Sequence, residues 1–161
     1  PRPPCQGPSP SRCLNSCLSD SFAAISATHD RGFGRRARLL TAAQYAEVFA
    51  ARRVLRGPLF ALHYRPQGRS AQPGPGQSNA RLGLVIPKKQ ARTAVLRNAI
   101  KRQAREVFRH QQSSLPPMDL VLRLVRPVER HQAGDAAVRA AWREEIAALF
   151  DQLRAKAGGP A

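Results

Sequence analysis

Hydrophobic and polar positions divide the chain into six patterned segments separated by stretches with no period. Thr41-Ala42-Ala43-Gln44 has the form of a capping box, with Leu40 and Tyr45 in the staple positions, and predicts a helix over 41–53. Tyr45, Val48, Phe49 and Arg52 share one face of it. Residues 58–65 alternate as a strand, with Phe60, Leu62 and Tyr64 on one side and Leu59, Ala61 and His63 on the other. Residues 81–86 set Leu82, Leu84 and Ile86 together, and residues 119–126 oppose Leu120, Leu122 and Leu124 to Val121, Arg123 and Val125. Between these two strands, residues 91–111 follow a helical period. Advancing ~100° per residue from Ile100 puts Leu96, Ala104, Val107 and Phe108 within ~80° of it. Asn98, Lys101, Arg102, Arg105 and Arg109 then fall between ~100° and ~200°, on the opposite side. Asp135 is placed to cap a last helix over 135–156, with Val138, Ala141, Trp142, Leu149 and Leu153 as its stripe.

Helix, strand, strand, helix, strand, helix is the order of an α/β two-layer sandwich, a small sheet covered on one face by helices. Residues 1–34 are rich in Pro, Ser and small side chains without a period, and are expected to be a disordered extension, because they cannot bury enough apolar surface to offset their ordering entropy. Residues 66–79 crowd Pro66, Gly68, Pro73, Gly74, Pro75 and Gly76 together and are expected to be a flexible loop inserted in a hairpin. The body is therefore expected over 35–157, with 158–161 as a tail. Asn15, Ser16, Ser19, Asp20 and Ser21 interrupt any secretory signal, and no stretch approaches the length of a membrane span. The arginines of the extension lie on no amphipathic helix, which disfavours a transit peptide. The chain opens on Pro1 rather than Met, as a fragment or processed form would. Cys5, Cys13 and Cys17 all lie in the extension, at spacings that suit neither a disulfide framework nor a zinc knuckle, so they read as incidental thiols of a reducing compartment.

Charge narrows the class of partner. Against 10 Asp and Glu the 161 residues carry 27 Lys and Arg, a formal +17. A compact chain with this charge repels itself unless a polyanion neutralises it, which favours nucleic acid, with an acidic membrane surface as runner-up. Arg2 and Arg12 cancel Asp20 and Asp30, so the first thirty residues are neutral and the body holds the excess. Residues 81–110 alone carry nine cations against Glu106, a net +8. A merely solvated helix face mixes both signs to gain i,i+4 pairs, whereas this one offers a single acid at its edge. Arginine supplies most of the charge, and its planar fork suits phosphate. RNA or DNA binding is the reading these residues favour.

Arg97-Asn98-Ala99-Ile100-Lys101-Arg102, then Arg105-Glu106 and Phe108-Arg109, resembles the signature helix of the bacterial ribonuclease P protein subunit, whose core reads Arg-Asn-Arg-x-Lys-Arg-x-x-Arg-Glu. Arg81-Leu82-Gly83-Leu84-Val85-Ile86-Pro87-Lys88-Lys89 looks like the strand and lysines that precede that helix. Leu115-Pro116-Pro117-Met118-Asp119-Leu120 resembles the entry to the next strand, and residues 41–49 the first helix with its two spaced aromatics. The likeness spans roughly residues 35–154. One departure is Ala99, where the family core has Arg; on the wheel it lies near ~−100°, beside Arg92, so the contact is expected to be lost or passed to Arg92. The Pro/Gly loop and the neutral extension are also extra to the family pattern.

The resemblance implies a sheet with a left-handed βαβ crossover, shared with a domain of a small-subunit ribosomal protein, although such crossovers are ordinarily right-handed. It implies a cytoplasmic protein that assists a catalytic RNA in removing the 5′ leader from precursor tRNA, with Mg²⁺ bound mainly by the RNA and no catalytic residue on the protein. The residues agree with that last point: His29, His63, His110 and His131 are scattered without evident carboxylate partners, and Asp119 has no second acid at a useful spacing. By the resemblance, Arg92, Arg97, Asn98, Lys101, Arg102, Arg105 and Arg109 face the catalytic RNA. Tyr45, Phe49, Ala61, His63, Lys88 and Lys89 line a cleft for the leader, formed by the first helix and the open face of the sheet. Simpler roles stand beside these. Tyr45 and Phe49 at i,i+4 also read as core packing, His63 as a half-buried strand residue, and Lys88 and Lys89 as loop residues. Trp142 is expected to anchor the last helix. The competing function is a ribosome-associated structural RNA-binding protein of the same fold.

Overall fold

The computed structural model of the chain describes residues 33–67 and 80–158. The expected extension up to residue 32, with its three cysteines and His29, the loop over 68–79 and the last three residues lie outside the described residues. Three helices and four strands follow in the order α1 (Ala42–Ala50), β1 (Val54–Arg56), β2 (Phe60–Pro66), β3 (Arg81–Val85), α2 (Ala94–Gln111), β4 (Met118–Leu124) and α3 (Ala136–Gly158), with single 3₁₀ turns at Arg35–Ala37, Gln112–Ser114 and Arg130–Ala133.

The four strands form one mixed sheet in the order β1-β2-β4-β3. β1 and β2 are antiparallel, β2 and β4 antiparallel, β3 and β4 parallel. The helix between β3 and β4 is thus a crossover between adjacent parallel strands, as the segment order anticipates. The hairpin expected around the Pro/Gly loop does not form, because β4 inserts between β2 and β3. The reason lies in burial: six of the seven β4 residues are buried, on both faces, so it takes the centre of the sheet. β1 has no counterpart among the expected elements; three residues are too few to show a period.

One face of the sheet carries the core. Phe60, Leu62, Leu82, Leu120, Leu122 and Leu124 pack there against Leu96, Ile100, Ala104, Val107 and Phe108 of α2 and Trp142, Ile146, Leu149, Phe150 and Leu153 of α3. The α2 stripe is the one read from the helical period, and Thr93 caps the helix by accepting from Leu96 N–H at 3.3 Å. On α3, Trp142 is buried as expected, but Ala141 is exposed and Ile146 and Phe150 join the stripe. Asp135 caps α3 by accepting from Ala137 N–H at 2.8 Å. Phe33, upstream of the expected start of the body, packs on this core with its ring 5.7 Å from that of Phe108, edge to face.

The opposite face is only partly covered, by α1. Its capping box forms: Gln44 N–H donates to Thr41 Oγ1 at 3.3 Å and Thr41 N–H to Gln44 Oε1 at 3.2 Å. Leu40 does not act as a staple; it is 54% exposed, while its N–H donates to Gln44 Oε1 at 2.8 Å. α1 ends at Ala50 rather than Arg53, because Arg52 adopts a left-handed conformation (φ 52°) that turns the chain into β1. Val48 of α1 packs with Leu39 and Val121 in a second, smaller cluster, flanked by Tyr45, Phe49 and Val85.

Candidate nucleic-acid interface

Pairing register fixes what the open face presents, since residues directly opposite in a ladder point the same way. Three rows cross the strands. Arg65 of β2 stands beside Asp119 of β4 and Arg81 of β3; His63 stands between Val54 of β1 and Val121, with Gly83 beyond; Ala61 stands between Arg56 of β1 and Arg123 of β4, with Val85 beyond. α1 covers the middle row. The Phe49 ring meets that of His63 edge to face at 4.8 Å. Tyr45 lies on Gly83, where an added Cβ would stand 2.6 Å from the phenol ring. The two aromatics expected to share one cleft thus serve different neighbours.

Charge on this face is compensated at one end only. Asp119, itself buried, accepts from Arg81 Nε and Nη2, both at 2.7 Å, and from Gln67 Nε2 at 2.7 Å. That hydrogen bond to Asp119 raises the Arg81 pKa. Arg65 pairs with Glu47 of α1. At the other end Arg56 and Arg123 are exposed, and among the described residues neither has an ion-pair partner. Burial lowers the His63 pKa from 6.5, and the fields of Arg123 and then Arg56 lower it further. Lys88 and Lys89 are exposed in the turn that follows β3, closed by Gln90 N–H donating to Pro87 O at 3.0 Å. Ala61 is buried.

The other cationic surface is α2. Asn98, Arg102 and Arg105 are exposed and Lys101 half-buried, opposite the apolar stripe. Arg105 reaches over the Phe33 ring, 5.8 Å from its centroid, and Arg38 lies over the same ring at 4.8 Å while donating to Phe33 O at 2.6 Å. Lys101 and Arg105 line a concavity with Arg38, Phe33, Tyr45 and Leu82, so Tyr45 opens toward α2 rather than toward His63. Arg97 is turned inward: its Nη1 donates to the carbonyls of Ala91 and Arg92, at 3.0 and 2.8 Å, and fastens the turn ahead of the helix. Arg109 donates to Glu106 Oε1 at 2.6 Å, and His110 lies 2.8 Å from the same oxygen. These two neighbours, Arg109 foremost, hold the Glu106 pKa down to about 2. Arg92 is exposed. Ala99 is half-buried against the core, as are Ala133 and Val138, and one turn along Gln103 Oε1 accepts from Arg143 Nη1 of α3 at 2.8 Å.

Arg56, Arg123, Arg38 and Arg143 were not among the residues singled out by motif. Arg123 and Arg56 become visible only once the register of β1 and β4 is known, and Arg143 once α3 is docked on α2. Among the described residues no group of three or more His, Cys, Asp or Glu side chains is placed to hold one metal ion. No helix among them is long and apolar enough to cross a membrane.

A family model described as Ribonuclease P matches residues 33–154. The ribonuclease P protein component of Azoarcus sp. (strain BH72) is 43% identical over 116 residues, 72% of this chain and 85% of that one. That of Vibrio parahaemolyticus is 39% identical over 121 residues, 75% and 87% of the two chains. Among solved structures, the RNase P protein of Staphylococcus aureus superposes with a TM-score of 0.55 at 18% identity, covering 74% of this chain and 90% of that one. The RNase P protein of Thermotoga maritima gives 0.53 at 23%, covering 71% and 96%. At these identities the structural likeness is one of fold.

Proposed function

The chain belongs to the ribonuclease P protein family, and from that premise we propose that it is the protein subunit that assists a catalytic RNA in endonucleolytic removal of the 5′ leader from precursor tRNA. The observation that carries the reading is the exposed face of α2, where Arg102 and Arg105 stand with Asn98 opposite a buried apolar stripe, without an acidic partner among the described residues. Like charges held on a rigid helix favour a polyanion, and arginine forks match its phosphates.

In this reading residues 35–157 form the RNA-binding body, α2 with Arg92, Lys101, Arg102, Arg105 and Arg109 faces the catalytic RNA, and Arg97 shapes the start of the helix. The 5′ leader lies along the open sheet face beside α1, against Phe49, His63 and Ala61, with Lys88 and Lys89 at its margin. Phe49 and His63 present ring faces and edges to unpaired bases, which suits a leader of any sequence. The protein supplies binding and no reacting group; the holoenzyme is the endonuclease, a cytoplasmic ribonucleoprotein, and Mg²⁺ is carried by the RNA. Where the family core has Arg, the contact at Ala99 is lost or passes to the exposed Arg92, with Arg143, bonded to Gln103 of α2, as a further cation on α3.

The test is reconstitution. Added to its cognate catalytic RNA, the protein is expected to permit cleavage of precursor tRNA at Mg²⁺ concentrations at which the RNA alone is inactive. Absence of stimulation, together with co-sedimentation with ribosomal subunits, would overturn the reading in favour of a ribosome-associated RNA-binding protein of the same fold.

A further inference from the structure

The open sheet face carries four arginines, and two of them are spoken for. Arg81 is held by buried Asp119, and Arg65 by Glu47. Arg56 and Arg123 remain, and they occupy one register row on either side of Ala61. Two strand spacings separate their Cα atoms, about 10 Å. They belong to different strands of one sheet, so their stems start from a rigid base and only the side chains adapt. Val85, paired with Arg123, continues the row, and three residues beyond it the chain reaches Lys88 and Lys89. Beside the row, one step along the strands, stand His63 and the Phe49 ring that meets it. The face therefore has a polarity: compensated charge at the Asp119 end, uncompensated cations next to two rings in edge-to-face contact at the other.

We propose that Arg56 and Arg123 are a pair of phosphate ligands that hold the backbone of single-stranded RNA across the sheet, with the Phe49 and His63 rings receiving the intervening bases. The proposal rests on the leader-binding reading above and adds to it the two side chains that fix where the strand crosses. Ala61, buried between them in the same row, adds no more than a methyl group there. Two unpaired guanidinium groups in one row repel each other, and a phosphodiester strand laid between them relieves that repulsion as it binds. The compensated arginines at the other end gain nothing comparable, because Asp119 and Glu47 already occupy them.

The experiment uses the protein assembled with its catalytic RNA, and precursor tRNA with and without a leader. Arg56→Ala with Arg123→Ala is expected to weaken binding of the leader-bearing substrate about tenfold, to leave leaderless tRNA unchanged, and to reduce the slope of log affinity against log salt by about 1.4, or 0.7 for each single-strand phosphate contact. Arg56→Lys with Arg123→Lys, which keeps the charge, is expected to recover most of the slope. Thermal unfolding and affinity for the catalytic RNA check that the variant is folded. If the wild-type complex shows no preference for a leader, the parent reading fails; if it shows one and the double Ala variant retains it with an unchanged salt slope, the phosphate pair fails alone. A second readout is the ring titration of His63, on which Arg123 of β4 and Arg56 of β1 act, while Arg65 two residues along its own strand is paired with Glu47 of α1 and Asp119 of β4 is paired with Arg81. A short single-stranded oligonucleotide is expected to raise its pKa in the wild type and not in the double Ala variant; equal shifts in both would overturn the assignment.

Discussion

Tyr45 lies against Gly83 so closely that a Cβ built on Gly83 would stand 2.6 Å from Tyr45 Cε1 and 2.9 Å from its hydroxyl oxygen. The missing side chain on β3 is what lets α1 settle on the sheet with Tyr45 turned toward Lys101 and Arg105. Gly83→Ala is expected to push the ring out and cost roughly 1–3 kcal/mol of stability, as overpacking does. In a Tyr45→Ala background the same change is expected to cost much less, because the two effects share one contact. Equal costs in both backgrounds, measured by denaturant unfolding, would mean that the ring does not govern the site.

The bidentate pair of Arg81 with Asp119 ties the start of β3 to β4, and Gln67 joins it from the end of β2. Asp119 is 3% exposed whereas the Arg81 side chain is 31% exposed, so the charge that suffers most from a broken pair is the carboxylate. Asp119→Asn removes that carboxylate and leaves Arg81 facing an amide while still partly in water. A loss of about 2 kcal/mol is expected, below the 3–5 typical when a fully buried partner is orphaned. Arg81→Ala, which strands the buried carboxylate instead, is expected to cost more. The order of the two midpoints in urea checks this.

Helical periods were legible from the sequence because they depend on residues within one element. The α2 stripe of Leu96, Ile100, Ala104, Val107 and Phe108 is buried as the period requires. The capping residues Thr41 and Asp135 also act where they stand. Strand order was not legible, since the pattern of residues 81–86 fits a neighbour of either β2 or β4, and only the two-sided burial of β4 decides it. The same holds for the interface. The one-sided charge of α2 follows from spacing alone, but the inward turn of Arg97 and the pairing of Arg109 with Glu106 depend on rotamers that no period encodes. Arg56 and Arg123, 67 positions apart, become one feature only through the registers of two ladders.

His63 gives the stability a pH dependence of definite sign. Burial, then Arg123 and Arg56, set its folded pKa below the unfolded value of 6.5. Above that value both states are neutral and the full stability is present. As pH falls through 6.5 the unfolded chain takes up the proton first, so the folded state is penalised until the pH passes its own lower pKa. Melting curves between about pH 8 and pH 5 are expected to fall more for the wild type than for His63→Phe, which keeps an aromatic ring against Phe49 and removes the titration. Parallel falls would assign the dependence to other groups.

For α2, Arg102→Ala with Arg105→Ala is expected to lower the salt slope of catalytic-RNA binding by roughly one to two units, since each phosphate contact contributes about 0.7 to 0.9. An unchanged slope would leave both residues on a solvated face. Arg105 carries a second consequence, because its guanidinium lies over Phe33; its removal alone is expected to loosen residues 33–38, read as faster amide exchange there than in Arg102→Ala.

Glu106 is the one acid on α2, and it engages both Arg109 and His110. Those two partners hold its pKa down to about 2, so it is ionised wherever RNA binding is measured and stands beside the Arg109 guanidinium as a counter-charge on an exposed helix face. Phosphate must then compete with a carboxylate for that guanidinium. Glu106→Gln retains the shape, drops the charge and frees Arg109. Affinity for the catalytic RNA is expected to rise and its salt slope to steepen by up to about 0.9, one further phosphate contact. The opposite result, weaker binding with an unchanged slope, would mean that the carboxylate acts by orienting Arg109 toward the RNA. In that case Arg109→Ala alone must reproduce the loss, whereas under the expected outcome Arg109→Ala weakens binding modestly in the wild type and costs more once Glu106 has been removed.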